Sequence, residues 1–312
     1  MARLHVLTAA VLFGTTGTAQ ALGPEAEPLA VGAARIIVGA ALLLLIAVVA
    51  KRARLGAGSR KLVLASGVFV AVYQASFFAA VADTGVAVGT VVALGSAPAF
   101  TGLFARVFTG ERLQRRWFAA TGLACAGVTL LTLGGGEGGD VSGAGVGLAL
   151  AAGAGYAGYA VAGKRLMDQG ATPEGLMAAV FGAGALVLSP VLLFVPLNGL
   201  LSGEGAALAL YLGAFPTAVA YVLFARGLEK IGPSETSTLT LAEPVTAMLL
   251  GFLVLSEQPG LIPLVGALSV LAGLGVLAGR VAPTWRRQRQ PREPRTRPRP
   301  ASSQATSLNA SG

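Results

Sequence analysis

The chain has 312 residues, of which 54% are hydrophobic and only 12% charged, with 44 glycines and a net charge of +9. So apolar a composition excludes a soluble domain of this length and places the chain in a membrane. One cysteine and one histidine exclude a disulfide framework and argue against a membrane enzyme, which needs a cluster of His, Asp or Glu at one interface; no basic face interleaved with aromatics exists to take nucleic acid.

Crossing a bilayer takes roughly 20 apolar residues. Ten runs of that kind are predicted as transmembrane helices, at 4–22, 30–50, 61–81, 86–108, 116–134, 142–163, 174–196, 204–225, 234–256 and 260–280. The first begins "MARLHVLTAAVLFGTTGTAQA", which has the outline of a secretory signal peptide, but the internal repeat described below needs it as a retained helix. His5 falls at the membrane edge. The second carries Arg35 about seven residues in, roughly 10 Å deep at 1.5 Å per residue. The third carries Tyr73 and Gln74, and an amide in hydrocarbon needs partners.

The fourth run contains Pro98, expected to loosen its helix because proline lacks the backbone donor. Trp117 begins the fifth at the interface, and Cys125 within it is a small packing residue. A glycine-rich acidic linker, Gly134 to Asp140, follows. In the sixth run Gly143, Gly147, Ala151 and Gly155 form a small-residue packing stripe, with Tyr156 and Tyr159 beyond it; no strand or Walker lysine makes it a phosphate loop. Tyr221 lies in the eighth. The ninth places Glu243 and Pro244 back to back near mid-membrane, an expensive position for a carboxylate that favours a cavity or a partner. Arg35 at similar depth suits a direct or water-bridged pair. Residues 281–312 alternate arginine with proline, a composition expected to be disordered, either as a solvated cytoplasmic tail or lying on anionic headgroups.

Lysine and arginine segregate along the chain. With the N-terminus inside, every predicted cytoplasmic loop is basic, from Lys51, Arg52 and Arg54 to Arg226 and Lys230, and the predicted outside loops have none. Both termini are therefore expected in the cytoplasm of a multi-pass cell-membrane protein.

The chain is also written twice. Gly95 to Glu111 set over Leu241 to Glu257 brings Pro98 onto Pro244 and Glu111 onto Glu257 without a gap, and the same offset pairs Ala126-Gly127 with Ala272-Gly273. Residues 1–133 and 141–280 thus make two related five-helix units, and an odd number of spans turns the second upside down. Inverted repeats around a midplane site are the architecture of many secondary transporters. Glu243 aligns with Ala97, so its charge belongs to one unit only.

The segments "GSAPAFTGLFARVFTGERL", "LAEPVTAMLLGFLVLSEQ" and "RIIVGAALLLL" resemble the EamA family of the drug/metabolite transporter superfamily, over essentially the whole chain to about residue 280. The resemblance implies a transporter, not an enzyme, that uses no cofactor and most plausibly exports an amino acid or related zwitterion. The alternatives are efflux of organic cations or drugs and, in another class, a lipid-handling or structural membrane protein. Glu243, Arg35, Gln74, Tyr73, Tyr156, Tyr159 and Tyr221 are the expected substrate or coupling residues, with Pro98 and Pro244 as helix breaks. The expected partners are the small-molecule substrate, membrane lipids and a coupling proton, with a homodimer as candidate assembly.

Overall fold

The computed structural model describes residues 1–55, 60–133, 142–256, 258 and 260–278. The linker Gly134 to Asp140, Glu257 and the tail 281–312 lie outside the described residues. Among the described residues the chain is helical throughout, with no strand. Ten helices follow in order: α1 (Ala2–Leu22), α2 (Pro28–Val49), α3 (Arg60–Thr84), α4 (Val88–Thr109), α5 (Arg115–Leu133), α6 (Gly143–Asp168), α7 (Pro173–Leu193), α8 (Gly203–Lys230), α9 (Pro233–Val254) and α10 (Leu261–Ala278). Eight are long and apolar enough to cross a membrane; α1, rich in threonine and glycine, and α5, opening on two arginines, are more polar.

Local sequence explains the boundaries. Pro28, Pro173 and Pro233 stand in the first turns of α2, α7 and α9, where no backbone donor is needed. Ser142, Thr172 and Ser202 cap α6, α7 and α8 by accepting the amides of Gly145, Gly175 and Gly205. Helix α6 runs five residues past its predicted end, to Asp168, and Lys164 pairs with Asp168 at 3.4 Å across its last turn. Helical backbone continues across the join of α3 and α4, yet the chain doubles back there, with Gly89 lying against Val81.

Three departures from regular winding involve proline, the first being the 3-10 winding of α7 over Ser189–Leu193, which contains Pro190. Helix α8 widens to π geometry over Ala214–Val219, around Pro216, and Thr217 there donates its hydroxyl to the Leu212 carbonyl at 2.8 Å. In α9 a 3-10 turn at Thr240–Ala242 immediately precedes Glu243 and Pro244. By contrast α4 keeps its helical winding through Pro98, so the loosening expected there does not appear as a change of helix type.

Packing depends on small residues. Helix α6 lies against both α3 and α4: a Cβ on Gly155 would come within 2.9 Å of the Phe69 carbonyl, and one on Gly153 within 2.9 Å of the Ala93 carbonyl. The touching glycines are thus Gly145, Gly153, Gly155 and Gly158, whereas Gly143 and Gly147 of the predicted stripe face open space. The stripe was read four residues apart along one line, but two neighbours on different sides require contacts on two faces. Helix α5 packs on α10, α2 on α7 and α8, and α1 on α8 and α9. Large apolar side chains such as Leu45, Leu103, Leu186, Leu253 and Leu268 point outward and stay exposed, as expected where lipid replaces water.

Candidate functional site

A cavity of about 930 Å³ is lined by residues of every helix but α7. Its wall brings together Arg35, Tyr73, Gln74, Tyr156, Tyr221, Glu243 and Pro244. Tyr159 sits one layer behind, its ring 5.2 Å from Tyr156 and 6.2 Å from Tyr221. Pro98 is not on the wall, although its neighbour Ala97 is.

Glu243 owes its position to the local winding of α9. The 3-10 turn delivers it as the first residue of the resumed α-helix, and Pro244 follows. Helix α1 approaches closely here, since a Cβ on Gly14 would lie 2.7 Å from both the Glu243 carbonyl and Thr246 Cβ. Arg35 and Glu243 line the same cavity within electrostatic reach of each other, but they form no ion pair within 4.0 Å. Arg35 instead donates to Gln74 Oε1 at 3.3 Å. Tyr73 and Tyr221 lie within electrostatic reach of both charges. Arg35 and Glu243 thus face one space without a direct ion pair.

Of the first half of α9, "SETSTLT", the sequence pointed only to Thr240 as a hydrogen-bonding residue, whereas the whole stretch is a buried ladder of hydroxyls. Thr240 meets the Tyr156 hydroxyl at 3.1 Å, Thr101 donates to Ser237 at 3.3 Å, and Thr121 meets Thr238 at 2.8 Å. Ser237, Thr90 and Gln20 also line the cavity. The signal that would have found them is the density of hydroxyls in an otherwise apolar span, each needing a partner.

The two ends of the helices differ. Pro24, Glu25, Ala26, Pro28, Gln258 and Gly260 line the cavity, so it reaches the end of the molecule that carries the 23–27 and 258–260 loops. The other end is held by polar contacts. Glu111, between α4 and α5, accepts the Ser234 hydroxyl; Trp117 Nε1 donates to the Ser234 carbonyl at 3.1 Å; Arg3 pairs with Glu235 at 2.6 Å. Arg226 pairs with the fully buried Glu174 at 2.7 Å, and Arg52 approaches it at 3.5 Å. Trp117 is therefore a buried interhelical donor and not the lipid-interface residue expected from its position. Burial pushes the Glu111 carboxyl above its ordinary range, outweighing the Ser234 hydroxyl and amide, which draw it down.

The chain is a helical membrane protein whose polar, charge-lined cavity reaches one end, the arrangement that a membrane transporter of small solutes requires. The EamA-like transporter family matches residues 1–133 and 143–279, and the chain belongs to that family, whose members are transporters and not enzymes. It is 40% identical over 276 residues, 88% of this chain and 93% of the other, to "Uncharacterized transporter YwfM" of Bacillus subtilis (strain 168). It is 33% identical over 183 residues to a "Probable terminal-alkyne amino-acid exporter" of Streptantibioticus cattleyicolor, a match covering 57% of this chain and 59% of that one. A solved structure described only as "Crystal structure of protein" superposes with a TM-score of 0.76 at 22% identity, over 89% of this chain and 96% of that one, which establishes the shared fold.

Proposed function

We propose that this transporter exports an amino acid or a closely related zwitterion by alternating access. The observation that carries this reading is the placement of Arg35 and Glu243, one basic and one acidic and not paired directly with each other, on the wall of one cavity. A zwitterion satisfies both at once, its carboxylate toward Arg35 and its ammonium toward Glu243. A lone organic cation would leave Arg35 facing it, which argues against general cation efflux despite the tyrosines beside Glu243. The exporter named above, 33% identical over part of its length, supports the same substrate class.

On this reading the ten helices all span the membrane as two inverted units, 1–133 and 141–280. The two separate stretches matched by the family support the doubling. The basic loops mark the cytoplasmic side, so the cavity reaches outward and the polar contacts close the cytoplasmic end. Protonation of Glu243 is the candidate coupling step.

The test is uptake of labelled amino acids into inverted membrane vesicles, with and without a proton gradient. Glu243→Gln is expected to reach the membrane and lose transport, as is Arg35→Gln, and combining them is not expected to restore it. Normal transport by the double variant would make the two charges a structural pair and overturn the proposal.

A further inference from the structure

Arg35 and Gln74 leave two donors unused. A guanidinium only donates, so the Gln74 amide must turn its oxygen toward Arg35, and its Nε2 hydrogens then face elsewhere. Among the described residues neither Gln74 Nε2 nor Arg35 Nε has a hydrogen-bond partner. Both nitrogens are closed to water and Gln74 is only 2% exposed where it borders the cavity, so a solute carboxylate reaches these donors when the two side chains turn toward the cavity. Two neighbouring N–H donors beside a fixed positive charge call for an anion with two acceptor oxygens. One cation and one amide suit a singly charged carboxylate better than a phosphate dianion.

We propose that Arg35 and Gln74 together form the subsite for the substrate's carboxylate, and that Gln74 is the residue that distinguishes an amino acid from its amide or its decarboxylated amine. This rests on the amino-acid reading above. The arrangement commits the two helices to separate tasks. Arg35 on α2 supplies charge, while Gln74 on α3 is oriented by Arg35 and supplies a second, directional donor. Tyr73, Phe77 and Phe78, beside Gln74 on the same wall, leave an apolar surface for the substrate's side chain.

Twenty labelled amino acids are first compared in inverted vesicles, and the one carried fastest is then measured against its own α-amide and its decarboxylated amine. Wild type is expected to prefer the acid. Gln74→Leu should raise KM for the acid ~10-fold, the loss of one charge-assisted hydrogen bond, with little change for the amide or amine. Gln74→Glu should reverse the preference, because its carboxylate engages Arg35 and repels the substrate's; retained amine transport then also shows that the variant is folded. If Gln74 only supports the helix packing, both variants will lower acid, amide and amine transport together, which would overturn the subsite while leaving the amino-acid reading intact. If wild type carries no amino acid, both fall.

Discussion

Glu111 is expected to hold the end opposite the cavity mouth shut, and its removal should open that end measurably. The carboxylate accepts the Ser234 hydroxyl and the Ser234 amide, at the start of α9. Hydrogen bonds to an ionised group contribute ~1.5–3 kcal/mol each. Burial takes back a large share, as the raised pKa shows, and the second carboxylate oxygen has no partner among the described residues. A net contribution of ~1.5 kcal/mol is left, so Glu111→Ala should shift the closed-to-open ratio ~10-fold. Trp117 is a built-in reporter, since it donates to the Ser234 carbonyl and is 7% exposed. The chain has two tryptophans, so Trp285→Phe leaves it alone. In that background Glu111→Ala should increase iodide quenching of Trp117 and shift its emission to the red.

The same residue gives a pH dependence. A carboxyl whose pKa is higher in the closed state than in water holds its proton more tightly when closed. Protonation therefore adds to closure below the ordinary glutamate value of about 4.3, and this added support is lost as pH rises through the raised value, leaving the hydrogen bonds of the ionised carboxylate. Lys164 and Glu235 face Glu111 and act on it in opposite directions. Quenching in wild type should grow over this window and stay flat in Glu111→Ala. Equal quenching in both proteins at every pH would refute the reasoning.

Two further substitutions test the packing. Gly14→Val should force α1 away from α9 beside Glu243, since even a Cβ would sit 2.7 Å from the Glu243 carbonyl; at least tenfold slower transport is expected at unchanged membrane abundance, about 1.4 kcal/mol. At the Glu174 cluster the two partners should differ. Arg226→Met leaves a fully buried carboxylate with only the more distant, 57% exposed Arg52 and should cost ~3 kcal/mol of thermal stability in detergent, whereas Glu174→Gln frees arginines already 41% and 57% exposed and should cost ~1 kcal/mol after allowance for solvent screening. Similar melting temperatures for both variants would contradict this.

The sequence made the membrane class and ten helical runs legible because hydropathy and length are one-dimensional properties. It also picked out Glu243, Arg35 and Gln74, since polar groups stand out against a lipid-like background. What it could not supply was pairing. Depth alone suggested a direct or water-bridged pair of Arg35 and Glu243, but direct contact depends on which helix faces lie together, and the hydrogen bond of Arg35 goes to Gln74. Trp117 was misread for the same reason: a tryptophan at a helix end suits an interface, and only the neighbouring start of α9 makes it a buried donor. The glycines of α6 carried a packing signal without a direction, because a helix with two neighbours spreads its contacts over two faces.

The contacts that close one end are carboxylate, hydroxyl, guanidinium and indole groups, each of which finds comparable partners in water. Exposing a packed apolar surface would cost ~25 cal/mol for every Å². Separating hydrogen-bonded groups into solvent costs only the small net difference between protein and water partners. A molecule sealed in this way can rest with its two facings nearly equal in free energy. The binding energy of a single small solute, applied unequally to the two, is then large enough to decide which one prevails.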